Sequence, residues 1–118
     1  NLKGKMTIES VIASKLASVG AAYPLTMPTG ATLPGMCYQF ISEIPMRHHG
    51  GADMVRRRLQ VSCWANTYAG AVTLGDQVRA ALDLNQSNIE LITAENISDF
   101  KDPEANKYRR IVEFFVWE

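Results

Sequence analysis

The fold is decided by the stretch from Met54 to Ala65, which reads MVRRRLQVSCWA. Apolar and polar residues alternate along it, which is the period-two pattern of a strand that buries one face. The apolar face receives Val55, Leu59, Val61 and Cys63, and the polar face receives Arg56, Arg58, Gln60 and Ser62. Arg57 is the one charge on the apolar face, and Trp64 falls on the polar face. We therefore predict a long strand with a buried side and a side that carries arginines.

Three more strands are predicted around this one. The residues from Met36 to Ile44 alternate in the same way and end at Pro45. A third strand is predicted from Ile89 to Ile97, and an acidic loop from Asp99 to Asn106 leads to a fourth strand from Tyr108 to Trp117. The fourth strand is apolar on both faces, so either both faces are buried or one face awaits a partner.

Two helices are predicted from apolar residues at helical spacing. The first covers Thr7 to Val19 and stops at Gly20. The second begins after a cap at Asn66 or Thr67. Its apolar stripe contains Tyr68, Ala71, Val72, Gly75, Val78 and Leu82. The glycine in that stripe indicates close approach to the sheet.

The order of the elements is helix, strand, strand, helix, strand, strand. Neighbouring strands are joined directly rather than through helices, which favours an α+β domain with a mainly antiparallel four-stranded sheet and two helices on one face. A chain of 118 residues is long enough for one such core and too short for two. We assign residues 6–118 to this single domain, and treat residues 1–5 as an added remnant or a flexible N-terminus.

The balance of charged residues argues against some classes of function. Twelve Lys and Arg oppose twelve Asp and Glu, so no overall positive field gathers the phosphates of nucleic acid. A neutral chain also lacks the self-repulsion that keeps proteins apart, which suits a subunit of an assembly. No apolar run approaches the roughly 18 residues of a membrane span, and no secretory signal is recognised. We therefore expect no membrane partner.

No catalytic or metal site is predicted. Cys37 and Cys63 lie in apolar strands, where a small buried residue is the usual occupant, and a cross-strand disulfide is the alternative. His48 and His49 are adjacent on a loop, so their side chains point apart. No serine or cysteine occupies a nucleophile motif, and no glycine-rich loop cradles a phosphate. We expect no enzyme activity, no metal and no cofactor.

Opposite charges are segregated along the chain. The residues from Met46 to Ser62 contain four arginines, and those from Glu90 to Glu104 contain five carboxylates. These are either two solvated patches or complementary surfaces that let neighbouring copies fit head to tail in a ring. We predict that the interface with neighbouring copies or partners contains Arg47, His48, His49, Arg56, Arg58, Glu95, Asp99 and Asp102.

Several short motifs, taken in order, are similar to those of one known family. They are Tyr23-Pro24, Pro28 to Pro34, Tyr38 to Ser42, Arg58 to Ala65, Tyr68, Val78 to Asp83, Asp102-Pro103, Tyr108-Arg109-Arg110 and Phe114 to Trp117. In this order and spacing, the chain resembles the tail-completion proteins of long-tailed bacteriophages and prophages, which are related to the tail terminators.

The resemblance implies a structural virion protein. It implies a small α+β subunit that closes the head-proximal end of the tail tube as a ring, expected to be hexameric, within the head–tail joining interface. The implied partners are copies of itself, the tail-tube protein and the head-completion (stopper) protein, with DNA only passing through the ring lumen. The implied location is the virion, after assembly in the host cytoplasm. The loop with His48 and His49 departs from the family pattern.

A different class of function remains an alternative. A small nucleic-acid or ligand-binding α+β module would use Arg56, Arg58, Tyr38, Phe40 and Trp64 for charge and stacking. An RNA-recognition sheet of the common type begins with a strand that carries aromatic residues, whereas this chain is predicted to begin with a helix.

Overall fold

The computed structural model describes residues 8–25, 30, 32–46, 54–83, 85–86, 91–102 and 107–117. They form two helices, α1 (Ile8–Ala17) and α2 (Tyr68–Leu82), and six strands. The strands are β1 (Ala22–Pro24), β2 (Gly35–Met46), β3 (Met54–Ala65), β4 (Asn85–Gln86), β5 (Leu91–Asp102) and β6 (Lys107–Trp117). Within this part of the chain, no helix is long and apolar enough to span a membrane.

All six strands belong to one sheet, in the order β1-β2-β3-β6-β5-β4. The four long strands are the predicted ones, and adjacent long strands run antiparallel. Val61 of β3 lies opposite Tyr38 of β2 on one side and Val112 of β6 on the other. Ile97 of β5 lies opposite Val112 from the far side. The α+β class is confirmed, and the long strands form the predicted antiparallel centre.

The predicted number of four strands is wrong, because two short strands extend the sheet at its edges. β1 pairs in parallel with the start of β2, where Tyr23 lies beside Cys37, so the sheet is mixed. The backbone NH of Leu25 continues this contact by donating to the carbonyl of Tyr38 at 2.8 Å. β4 pairs with residues 91–92 of β5. Strands of three and two residues are too short to show a period of two.

The third predicted strand is longer than expected. β5 continues to Asp102, so residues 99–102 are strand where an acidic loop was predicted. Asp99 lies opposite Arg110 of β6 and forms an ion pair with it, which lets a charged residue remain within the strand ladder. Residues 103–106 of the predicted loop lie outside the described part of the chain.

Both helices pack on one face of the sheet and enclose the core, as predicted. The core consists of Ile12, Leu16, Met36, Leu59, Val61, Cys63, Leu74, Val78, Leu82, Ile92, Val112, Phe114 and Val116. Strand register places every sheet residue of this set on the same face. Full burial of an aliphatic or phenylalanine side chain contributes roughly 1.5–3 kcal/mol. The alternation of β3 therefore determines which face of the sheet the helices cover.

Helix α2 begins where the sequence predicts. Thr67 is its N-cap, and the Thr67 Oγ1 accepts a hydrogen bond from the backbone NH of Gly70 at 3.0 Å. Gly75 faces β6, and a Cβ added there would lie 2.5 Å from the Cδ of Arg110. The predicted close approach of helix and sheet at this glycine is confirmed.

The apolar stripe of α2 differs from the prediction at two positions. Tyr68 is 52% exposed rather than buried, because its hydroxyl reaches outward to donate a hydrogen bond to Asp99 at 2.8 Å. Leu74, which the predicted stripe does not include, is buried beside Gly75. Helical geometry places residues 71, 74, 75, 78 and 82 on the same face, which accounts for its burial.

Neither described helix packs on the second face of the sheet, which we call the open face. Register places on it Gln39, Arg56, Arg58, Gln60, Ser62, Trp64, Arg109, Ile111, Glu113, Phe115 and Trp117, together with Thr93, Asn96, Ser98 and Phe100 of β5. The predicted faces of Arg56, Arg58, Trp64 and Arg57 are confirmed. Tyr38 and Phe40 instead pack against the core. The nucleic-acid alternative therefore loses two of its stacking side chains, because β2 turns them toward the helices.

Candidate partner-binding surface

The predicted interface residues that the structure describes do not form one patch on the sheet. Arg56 and Arg58 lie on the open face, and Asp99 lies on the helix face. Glu95 is exposed on β5, at the register shift between Ala94 and Asn96. Asp102 is the last residue of β5, and Arg47, His48 and His49 lie outside the described residues.

Arg56 lies over aromatic rings at one end of the open face. Its guanidinium carbon is 4.6 Å from the ring centre of Phe115 and 5.7 Å from that of Trp117. The two rings contact each other edge to face, with centres 6.4 Å apart. Among the described residues, no carboxylate pairs with Arg56. Contacts between a cation and a ring face are attractive, so this arginine is held in place while no described carboxylate compensates its charge.

Arg58, two residues along β3, is compensated within the subunit. Its Nη2 lies 3.0 Å from the Oε1 of Glu113, which belongs to β6. The Nδ2 of Asn96 donates a hydrogen bond to the same Oε1 at 3.3 Å. The contact of Arg58 with a neighbouring copy stays a prediction, and the structure shows that Arg58 ties β3 to β6 within the subunit.

Asp99 is likewise paired with side chains of its own subunit. Arg110 donates to it from Nε and Nη2, and the Tyr68 hydroxyl donates a third hydrogen bond. The Arg110 hydrogen bonds, reinforced by the one from Tyr68, hold the pKa of Asp99 below its ordinary value. The same pairing raises the pKa of Arg110. The carboxylate therefore stays ionised and joins β5, β6 and α2.

The two cysteines lie on opposite faces of the sheet. Cys63 is buried in the core opposite Met36, whereas Cys37 pairs with Ser62 on the open face. Both are free thiols, so the disulfide alternative is wrong. Burial raises the pKa of Cys63 to about 12, which suppresses the reactive thiolate. Within the described residues, no group of three or more His, Cys, Asp and Glu could hold a metal ion.

Arg109 is the feature of the open face that sequence reasoning missed. Its guanidinium carbon lies 5.1 Å from the ring centre of Trp64 and 5.0 Å from that of Phe100. These three residues come from β3, β6 and β5, and they are neighbours only because of strand register. The motif Tyr108-Arg109-Arg110 shows two adjacent arginines, and alternation alone sends them to opposite faces. The neighbouring sequence does not indicate that Arg110 pairs with a carboxylate whereas Arg109 stacks on aromatic rings.

Comparison with known proteins completes the description of the site. The family model for tail completion protein gp17 matches residues 12–118. The chain belongs to the tail completion protein gp17 family. The resemblance seen in the sequence motifs is thereby confirmed, and this tail completion protein is a structural component of a phage-type tail.

A solved structure shares the fold of this tail completion protein. A chain of the virion of the native gene transfer agent particle superposes with a TM-score of 0.66, over 93% of this chain and 92% of that one. The two sequences are 14% identical, so the likeness concerns the fold alone. No curated protein matches the chain.

Proposed function

We propose that this tail completion protein is a ring subunit that closes the head-proximal end of the tail tube and forms part of the head–tail joining interface. The observation that carries the proposal is the family match over residues 12–118. The proposed ring is hexameric, and its partners are further copies of the chain, the tail-tube protein and the head-completion protein. DNA passes through its lumen without being a specific ligand. Subunits are made in the host cytoplasm and end in the virion.

A closed ring requires two different surfaces on each subunit that fit each other. We place one of them at the arginine end of the open face, around Arg56, and the other on β5, around Glu95. Arg56 is uncompensated among the described residues, and Glu95 is exposed on β5 and receives one hydrogen bond, from the hydroxyl of Thr93 at 3.0 Å. Asp102 lies at the end of the same strand.

The other predicted interface residues have two different roles in this proposal. Arg47, His48 and His49 belong to the segment between β2 and β3, and they remain predicted contacts to a neighbour or to the head-completion protein. Arg58 and Asp99 already bind Glu113 and Arg110, so their contribution to a ring is indirect. They hold the strands that carry the contacts.

Charge pairs of this kind set the orientation of neighbours more than their affinity. An exposed ion pair contributes only about 0.2–1 kcal/mol. Apolar surface must supply the rest, and five large hydrophobic side chains are exposed on the described surface: Leu25, Ile41, Tyr68, Ile97 and Phe100. We therefore expect the free subunit to associate weakly and the ring to form on the end of the tube.

The experiment that tests the function is a capping assay. Tubes of the tail-tube protein are grown in vitro with and without this chain carrying a gold-labelled tag, and are imaged by electron microscopy. Gold at one end of each tube, together with tubes that stop growing, supports a cap. Gold along the whole tube, or growth that continues from both ends at saturating concentrations of this chain, contradicts it.

A further inference from the structure

Arg109 is held between two aromatic rings on the open face, by Trp64 on β3 and Phe100 on β5. Stacking on rings fixes the plane of a guanidinium group and leaves the N–H groups at its rim free to donate. A planar, immobilised guanidinium is the group best suited to bind a carboxylate through two parallel hydrogen bonds. The arrangement is thus prepared for an acidic ligand before any ligand arrives.

The charge of Arg109 lacks a partner in the part of the chain that the structure describes. Its neighbour Arg110 is paired with Asp99, and Arg58 is paired with Glu113, but no described carboxylate pairs with Arg109. The Arg109 Nε is buried and has no hydrogen-bond partner among the described residues. A buried donor without an acceptor costs free energy, and a ligand cannot reach an enclosed Nε, so an acidic ligand would bind the terminal nitrogens of the guanidinium.

A depression of about 330 Å³ opens beside Arg109 and Trp64. Its lining includes the polar residues Gln39, Gln60 and Ser62, and Leu25 forms part of its apolar wall. Leu25 has φ of 70°, a left-handed conformation that leucine rarely adopts, and its side chain is 66% exposed. A strained backbone that holds an apolar side chain in water at the rim of a depression is expected where a second chain covers it.

The charges of the open face indicate the chemistry of that second chain. The open face has three arginines with described side chains, Arg56, Arg58 and Arg109, and one described carboxylate, Glu113. The volume is at the low end of the roughly 300–1,000 Å³ of small-ligand sites, which suits a few residues of an extended peptide. The geometry points to this depression as the docking site for an extended acidic segment of a partner protein. A carboxylate of the segment pairs with Arg109, and an adjacent apolar residue covers Trp64 and Leu25.

Nucleic acid is the less favoured occupant. The net charge of the chain is zero, so the long-range attraction that supports phosphate binding is absent. Proteins that hold single strands offer aromatic ring faces to the bases, whereas Trp64 and Phe100 each already stack on Arg109. The docking proposal requires assembly with another protein and does not depend on the ring, so it can be tested apart from capping.

The test uses an acetylated and amidated octapeptide in which glutamate alternates with leucine, titrated into the full chain by calorimetry. We expect saturable one-to-one binding that weakens about tenfold or more in Arg109→Gln. A peptide with glutamine in place of each glutamate should bind the unchanged chain more weakly by a similar factor. Arg79→Gln is the matched control, because Arg79 is an exposed arginine on α2, away from the open face. Melting curves establish that both variants fold.

Four outcomes overturn the proposal. Two of them are the absence of saturable binding by the acidic peptide, and equal affinity in Arg109→Gln and the unchanged chain. The third is tighter binding of a single-stranded DNA dodecamer at physiological salt, lost in Arg109→Gln, which assigns the depression to nucleic acid. The fourth is self-association without peptide that Arg109→Gln abolishes in sedimentation, which assigns it to a second copy.

Discussion

Arg110 of β6 and Asp99 of β5 face each other beneath helix α2 and share two hydrogen bonds, from Nε to Oδ1 at 2.7 Å and from Nη2 to Oδ2 at 3.0 Å. The Tyr68 hydroxyl donates to the same Oδ2 at 2.8 Å. One carboxylate therefore joins two strands and the first turn of the helix. This contact adds to the strand pairing that holds the far end of β5 against β6.

Replacing Asp99 by asparagine should lower the free energy of unfolding by about 1 kcal/mol at pH 7. The reason is that Arg110, largely buried, loses its charged two-bond partner, and the other described carboxylate near it is that of Asp76, whose Oδ1 lies 3.9 Å from Nη1. Denaturant unfolding of the variant beside the unchanged chain measures the difference. Asp76→Asn is the matched control and should have a smaller effect, because Asp76 is exposed and distant.

The pH dependence of that difference has a definite sign. Pairing lowers the pKa of Asp99 in the folded protein, so its stabilisation is complete above its ordinary pKa of 3.8. The stabilisation is lost as the pH falls through the lower, folded-state value. The gap between the unchanged chain and Asp99→Asn should therefore close below about pH 4. A gap that widens on acidification would show that the carboxylate is not the stabilising form.

Gly75→Ala should destabilise the fold even though alanine favours helices by up to about 1 kcal/mol over glycine. The new Cβ would lie 2.5 Å from the Cδ and 3.1 Å from the Cγ of Arg110, whose guanidinium is fixed at its other end by Asp99. We expect a net loss of about 1–2 kcal/mol in thermal or denaturant unfolding. In an Arg110→Ala background, the same substitution should become neutral or stabilising. An equal cost in both backgrounds would rule out the clash.

The two cysteines should differ in their reactivity toward an alkylating reagent. Burial raises the pKa of Cys63 to about 12, so iodoacetamide at pH 8 should leave it unmodified in the folded protein. Cys37 is only half-buried on the open face and should be modified. Mass spectrometry should find one modified site in the folded chain, two after unfolding, and none in folded Cys37→Ser. Two sites in the folded chain would contradict the placement of Cys63 in the core.

The proposed ring contact predicts a charge-reversal effect. Arg56→Glu should prevent capping of tail tubes, and Glu95→Lys in the same chain should restore part of it, because the two charges would again be opposite across the contact. Arg58 and Asp99 are left unchanged, since their ion pairs within the subunit would confuse the result. Arg79→Glu, on the exposed side of α2, is the control; it removes only the solvent-exposed contact with Asp83 at 3.5 Å and should cap normally. Normal capping by Arg56→Glu at physiological salt would remove this contact from the account.

Local signals explain why so much of the fold could be predicted. The alternation of MVRRRLQVSCWA is contained in the strand itself, so the bounds of β3 and the faces of Arg57 and Trp64 follow from it. The Thr67 cap and the Gly75 approach are equally local. The family could be recognised because its motifs lie in order along nearly the whole chain.

The remaining features depend on residues that are far apart in sequence. β1 and β4 exist only because a neighbouring strand offers them hydrogen bonds. β5 extends to Asp102 because Asp99 pairs with Arg110 of the neighbouring strand. Arg109 lies between two aromatic rings because of the register of three strands. A charge count along the chain could therefore identify basic and acidic segments, but it could not show which charges are already paired within the subunit.

We propose above all that this tail completion protein forms a ring at the head-proximal end of the tail tube. The most direct test of this proposal is cryo-electron microscopy of intact particles that carry a tagged copy of the chain, with the copies per particle counted by quantitative mass spectrometry. The account predicts six copies, all between the tube and the head. Copies distributed along the tube, copies at the distal tip, or a number that varies with tail length would contradict it.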